Sequence, residues 1–409
     1  MALVMHGGMK VYRGGAAAAR MYVEHDRSCA DDYYLAEGAG IARRFAATAD
    51  GRVVELPSMD GDAYEAWVGG FDPVTGQPRG RLRNDEHAVR FVEVTVNGPK
   101  SWSLAAELHP DIAVAYESAQ DRAASQIIGW LAENATARVG PRGAQVAMPV
   151  ELIEAATIRH YTSRAGDPHR HLHVQVNSRV FADGKWRGID TVSVRDSLAA
   201  INGIGHAAVM CDPEFRAALT GHGYTLNSGG KIEQLAPFVG PFSQRAAQIE
   251  ANLDRYEWEW TQAHPGEQPG PALRRAWDAR AWADGRPDKV VPEPGVNVQA
   301  RWLAKLAALG YRDHDRPIQL TLPLAGQVDR DRAAVEVLTR LGAARSAWNA
   351  ADFRGGVEQL LARAGMVADA AVRRELAEDL TTCALADCVP LLAREVPAHV
   401  RSLTSPQVL

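Results

Sequence analysis

Three histidines, His160, His171 and His173, have the residue type and spacing to do chemistry. In an extended strand side chains alternate faces, so HRHLHVQVN puts His171, His173, Gln175 and Asn177 on one side and Leu172, Val174 and Val176 on the other. One face is apolar and the other can bind. His160 lies on the preceding candidate strand, and antiparallel pairing would bring it beside the other two. Three neutral imidazoles suit Zn, Ni, Cu, Mn or Fe-type divalent ions and leave coordination positions open for a substrate oxygen, so the cation would act as a Lewis acid. An isolated His-x-His is more often a polar strand face without a ligand; the third histidine and a nearby acid, Glu93, weigh against that. Glu93 interrupts an otherwise apolar strand, where it can accept a ligand imidazole's N–H or serve as a base. The alternative for Glu93 is an exposed strand position. His169 is expected to be a bystander or a phosphate contact.

A cation that polarises phosphate oxygens still needs a nucleophile. No Gly-x-Ser-x-Gly and no reactive-cysteine context is present, whereas tyrosines are available at Tyr22 and in Asp31-Asp32-Tyr33-Tyr34. A phenolic oxygen attacking a phosphodiester gives a covalent phosphotyrosine that keeps the bond energy for religation. Taken alone, paired tyrosines are more often packing residues.

The elements that must hold these residues read as α+β, an antiparallel sheet with helices packed on it. Val89–Val96, Ala155–Tyr161 and His171–Phe181 have strand character, the last two joined by the turn-forming Arg164–Pro168 as a hairpin-like sheet edge. Helices are expected over 16–24, 100–109, from Pro110 to about Asn134, and within 192–219. Residues 26–88 show little periodicity and read as mixed helix and loop. Proline and glycine concentrate between 263 and 296, so we expect a core over 1–262, a linker or lid over 263–300 and a helical region over 301–409.

Composition, 46% hydrophobic and 23% charged, is that of a globular protein. No apolar run approaches the roughly 20 residues that span a bilayer, and neither membrane insertion nor a cleaved export signal is expected. Cys29, Cys211, Cys383 and Cys388 form no metal-binding spacing and no disulfide scaffold, which favours a cytoplasmic location. The net charge of −5 runs against a polyanion ligand. Between Arg159 and Arg195, however, seven basic residues face three acidic ones, a local +4 around the histidines.

In this order, the early tyrosines, a GPKSWSL segment and the histidine triad resemble the MobF-type conjugative relaxases of the HUH endonuclease superfamily. The matching pieces are ADDYYLAEG (30–38), VEVTVNGPKSWSL (92–104), RHYTSRAGDPHRHLHVQVNSRV (159–180), DGKWRGID (183–190) and, more weakly, PFSQR (241–245). The resemblance implies a palm-like relaxase core in which His160, His171 and His173 bind a divalent metal, Mg or Mn, that clamps the scissile phosphate. It implies Tyr22 as first nucleophile and Tyr33 or Tyr34 as the second. The family pattern has tyrosine doublets at both places, whereas Met21 precedes Tyr22, and it has Asp where this chain has Glu93. Lys100, Arg159, Arg164 and Arg170 are candidate DNA phosphate contacts. The implied partners are single-stranded DNA and a hairpin at an origin of transfer, with accessory origin-binding proteins, a coupling protein and type IV secretion machinery; the protein itself could be translocated with the strand. Members commonly continue into a helicase, but residues 1–409 contain no G-x-x-x-x-G-K-[ST] loop, so no nucleotide cofactor is expected here. The competing readings are a rolling-circle initiator or transposase of the same chemistry, a metal-dependent phosphohydrolase using water, and a non-catalytic origin-binding module.

Overall fold

In the computed structural model, the structure describes residues 8–28, 40–285 save 84, 86 and 142, 290, 297–319 save 314 and 315, 323, 325–389 and 391. The first elements are strand β1 (Lys10–Tyr12), helix α1 (Ala16–Ser28), β2 (Ala42–Thr48), β3 (Val53–Met59), α2 (Gly61–Gly69), β4 (Phe91–Asn97), α3 (Lys100–Leu108) and α4 (Pro110–Asn134). Next come β5 (Thr136–Val139), β6 (Val146–Pro149), β7 (Leu152–Thr162), β8 (Pro168–Asn177), β9 (Arg179–Ala182) and β10 (Lys185–Gly188). Helices α5 (Thr191–Asp196), α6 (Leu198–Met210), α7 (Pro213–Gly221), α8 (Gln244–Ala263) and α9 (Pro271–Ala283) follow, then α10 (Val298–Ala308), α11 (Arg330–Ala344), α12 (Ala350–Arg363) and α13 (Ala370–Ala386).

The main sheet is antiparallel in the order β1-β4-β8-β7-β2-β3, with β9 on β7 and β10 on β9. Strand alternation divides its side chains. Val92, Val94 and Val96 of β4 and Leu172, Val174 and Val176 of β8 join Trp102, Ile112, Tyr116, Ile127 and Leu131 of α3 and α4 in the larger core. Each large aliphatic or aromatic side chain buried there stabilises the fold by about 1.5–3 kcal/mol. The opposite face carries Phe91, Ala156 and Ile158 and is covered by Ala19 and Val23 of α1 with Tyr64 and Trp67 of α2. Pro110 opens α4 at a position where its missing N–H costs nothing. The expected α+β architecture is what the chain forms. No helix among the described residues is long and apolar enough to cross a membrane.

Three expectations need correction. Residues 26–88 hold two strands and α2, not unpatterned helix and loop; β2 reads ARRFAAT, poor in β-branched residues, and is a strand because β3 and β7 flank it. Its Arg44 is buried in a two-pronged pair with Glu154 of β7, at 3.0 and 2.7 Å. Second, β7 and β8 lie at the centre of the sheet, not at its edge. Third, the segment expected as linker or lid contains α9, which packs on α8. The expected boundary at 300 falls inside α10, whose Trp302 and Leu306 belong to the larger core.

The last three helices have a core of their own around Val337, Phe353, Leu361 and Leu380, and α12 docks on α6. That crossing needs two glycines: a Cβ on Gly203 would lie 2.7 Å from Gly355 Cα, and one on Gly355 would lie 2.3 Å from the backbone oxygen of Ala199. Gly355→Val is therefore expected to destabilise the protein by about 1–3 kcal/mol through overpacking. Urea denaturation should show this, and should show little change for Gly342→Ala, where an added Cβ meets nothing within 4 Å.

Candidate metal centre and nucleophile

Register brings the three histidines together. His160 of β7 is directly opposite His171 of β8, and His173 lies between Ile158 of β7 and Thr95 of β4. Ring centroids are 5.2 Å apart for 160 and 171, 4.7 Å for 160 and 173, and 5.0 Å for 171 and 173. One nitrogen from each ring lies within 4.8 Å of the others, a spacing that one cation can span.

Neighbouring oxygens orient two of the rings. His171 Nδ1 is 2.8 Å from the carbonyl oxygen of His169, which can only accept, so the proton is on Nδ1 and the lone pair on Nε2. His173 Nδ1 lies 3.2 Å from Glu93 Oε1 on β4. An outer oxygen on the far nitrogen fixes the ring and raises its basicity as a ligand. The donor set thus fits a divalent ion. Burial pushes the Glu93 carboxyl up, but the adjacent His173 imidazole, the hydrogen bond from Gln175 and the Lys10 charge outweigh it and hold it down at about 2. Glu93 is therefore a carboxylate at any working pH. We expect Glu93→Gln to weaken divalent-metal binding about 10- to 100-fold in a competition titration, with Glu93→Asp in between.

Tyr22 projects from α1 over this cluster. Its ring is 45% exposed and meets the His160 ring edge-on, with centroids 6.4 Å apart. The helix is seated by Ala19 and Val23 below and by Arg20, which bonds Glu24 on its own helix and Asp62 and Glu65 on α2. Tyr33 and Tyr34 lie outside the described residues.

The expected phosphate contacts divide. Lys100, at the start of α3, donates to the Pro168 carbonyl at 2.8 Å and so pins the beginning of β8; burial, opposed by Asp167, lowers its ammonium to about 8. Arg164 lies in the turn joining β7 to β8, half-buried, where its carbonyl accepts from Val290 N–H. Arg159 and Arg170 are not in the site. Period-two alternation turns both away from the imidazoles toward the helices beneath: Arg159 bonds Gln120, Asp121 and the Glu117 carbonyl, and Arg170, only 2% exposed, pairs with Glu107 and Glu117. His169 shares the imidazole face and stacks on His171 at 4.6 Å, outside the three-nitrogen group.

Tyr64 and Asp167 were not singled out from sequence, and Gln175 was placed only on the imidazole face of its strand. Gln175 donates to Glu93, and Tyr64 donates to Gln175. Asp167 is buried in the turn before β8, where both its oxygens accept from Gln244, one from the backbone N–H and one from Nε2. The RAGDP turn and the PFSQR segment are therefore in contact. Gly166 takes φ +75° in that turn, a left-handed conformation suited to glycine, and its carbonyl accepts from Trp302.

The sequence matches the TrwC relaxase family over residues 16–309. No curated protein matches the chain. Among solved structures, a metal-bound conjugative relaxase TrwC in complex with oriT DNA is similar at 20% identity and TM-score 0.55, over 75% of this chain and 99% of that one. A copper-bound TrwC with oriT DNA gives 21% and 0.53, and TrwC with a 27-mer comprising the recognition hairpin and the cleavage site gives 20% and 0.53, with the same coverage. At this identity the likeness is one of fold.

Proposed function

The chain belongs to the TrwC relaxase family, DNA-nicking strand transferases, and from that premise we propose that it cuts one strand at an origin of transfer with Tyr22 as nucleophile. The observation that carries this reading is the Tyr22 ring over His160, at the rim of the three-imidazole cluster.

The Tyr22 Oη attacks the scissile phosphorus and the bond to the 3′ oxygen breaks in line. The phenolic proton leaves to solvent or a base, and the products are a 5′-phosphotyrosine and a 3′-hydroxyl. Attack by a 3′-hydroxyl reverses the step and religates the strand. His160, His171 and His173 would hold the divalent cation, Mg or Mn before Zn, Ni or Cu, which when bound would neutralise charge on the phosphate. Around it, Glu93 and the His169 carbonyl hold ligand tautomers, and Lys100 fixes the first residue of the strand that carries two of the ligands. Tyr33 or Tyr34 acts as the second nucleophile at strand termination. The substrate is single-stranded DNA beside a hairpin, and the coupling protein and secretion machinery are the downstream partners.

The test is an oligonucleotide carrying a hairpin and nick site, incubated with Mn or with chelator and resolved on a denaturing gel. The proposal expects a metal-dependent 5′ fragment released with a free 3′-hydroxyl and a 3′ fragment attached to protein through its 5′ phosphate. Two free fragments would instead indicate a hydrolase using water, and binding without cleavage a non-catalytic module.

A further inference from the structure

The carboxylate beside His173 is itself held by a run of buried hydrogen bonds that extends away from the metal cluster. Gln175 lies two residues beyond His173 on β8 and directly opposite Glu93 in the sheet. Its Nε2 donates to Glu93 Oε2 at 2.9 Å, and its Oε1 accepts from the Tyr64 hydroxyl at 2.7 Å. Tyr64 is wholly buried in α2 and stacks on Trp67. The run therefore reads Tyr64, Gln175, Glu93, His173, with the two Glu93 oxygens divided between amide and imidazole.

The chemistry of these groups gives the run one direction. Turning the amide over would set its carbonyl against the carboxylate, two acceptors with no proton between them, in a buried site where an unmade hydrogen bond is costly. The tyrosine hydroxyl, by donating to Oε1, keeps the amide N–H aimed at Glu93. A glutamate has one more rotatable bond than an aspartate, so its carboxylate needs an external partner to stay in one place, and Gln175 is that partner.

We infer that Tyr64 and Gln175 are positioning residues that hold the Glu93 carboxylate against His173 and thereby set the affinity of the three-histidine site for its divalent ion. The inference rests on the metal reading of His160, His171 and His173.

The test uses the full chain and its variants Gln175→Leu and Tyr64→Phe, titrated with Mn and with Zn against a fluorescent chelator. Nitrogen NMR of labelled histidine in the metal-free protein reads the His173 tautomer. The expected result is metal affinity lower by about tenfold in Gln175→Leu and by less in Tyr64→Phe, with His173 passing from a single Nδ1–H tautomer to a mixture. Tyr64→Phe removes only a hydroxyl and carries the test if Gln175→Leu does not fold. Metal affinity and tautomer like the parent's in the folded variants would overturn the inference while leaving the metal reading intact. A parent protein that binds neither Mn nor Zn would overturn both.

Discussion

Tyr22→Phe is expected to abolish the protein–DNA adduct, reducing covalent cleavage on the order of 10³-fold or more, while hairpin binding stays within about twofold of the parent. The substitution removes one oxygen and little else. The Tyr22 ring is half exposed on α1, and that helix is seated by Ala19, Val23 and the Arg20 contacts to α2. Loss of the adduct therefore cannot be attributed to loss of the fold, and a gel-shift measured beside the cleavage assay checks this. A second nucleophile in the 30–38 segment would leave a residual adduct, and its position would show which of Tyr33 and Tyr34 supplies it.

The second large effect is expected at the metal ligands. His160→Ala with His173→Ala should lower cleavage on the order of 10³-fold, the loss of a few kcal/mol of phosphate charge stabilisation. Chelation of the parent protein should do the same and be reversed by added Mn, whereas the double variant should not respond to Mn. Calorimetric metal titration provides the matching readout, with binding present in the parent and absent in the variant. The site draws ligands from two adjacent central strands, so removing two imidazoles leaves the sheet's hydrogen bonds and both apolar cores in place.

Much of the site could be read from the sequence because strand periodicity is strict. The alternation in HRHLHVQVN separates the imidazoles from the core valines, and the structure keeps that separation. The same rule puts Arg159 and Arg170 on the opposite face from His160 and His171. Grouping arginines by nearness along the chain set the rule aside, and both turned out to serve internal ion pairs. The local excess of positive charge near the histidines is smaller for that reason. Strand β2 and helix α2 were not legible, because ARRFAAT has no strand signature of its own and becomes a strand only between its neighbours. Tyr64 was hidden with them; it becomes a candidate only when the sheet brings α2 above Gln175. The helix inside the proline-rich stretch was hidden by its flanks: HPGEQPG is the loop between α8 and α9, and PALRRAWDARAWA is itself a regular helix begun by Pro271.

The most direct test of the central claim is mass mapping of the covalent product formed with a hairpin oligonucleotide in Mn. The account predicts a nucleotide linked through a 5′ phosphate to the peptide containing Tyr22, formed only when metal is present. An adduct confined to any other residue, or cleavage that leaves a free 5′ phosphate and unmodified protein, would contradict it.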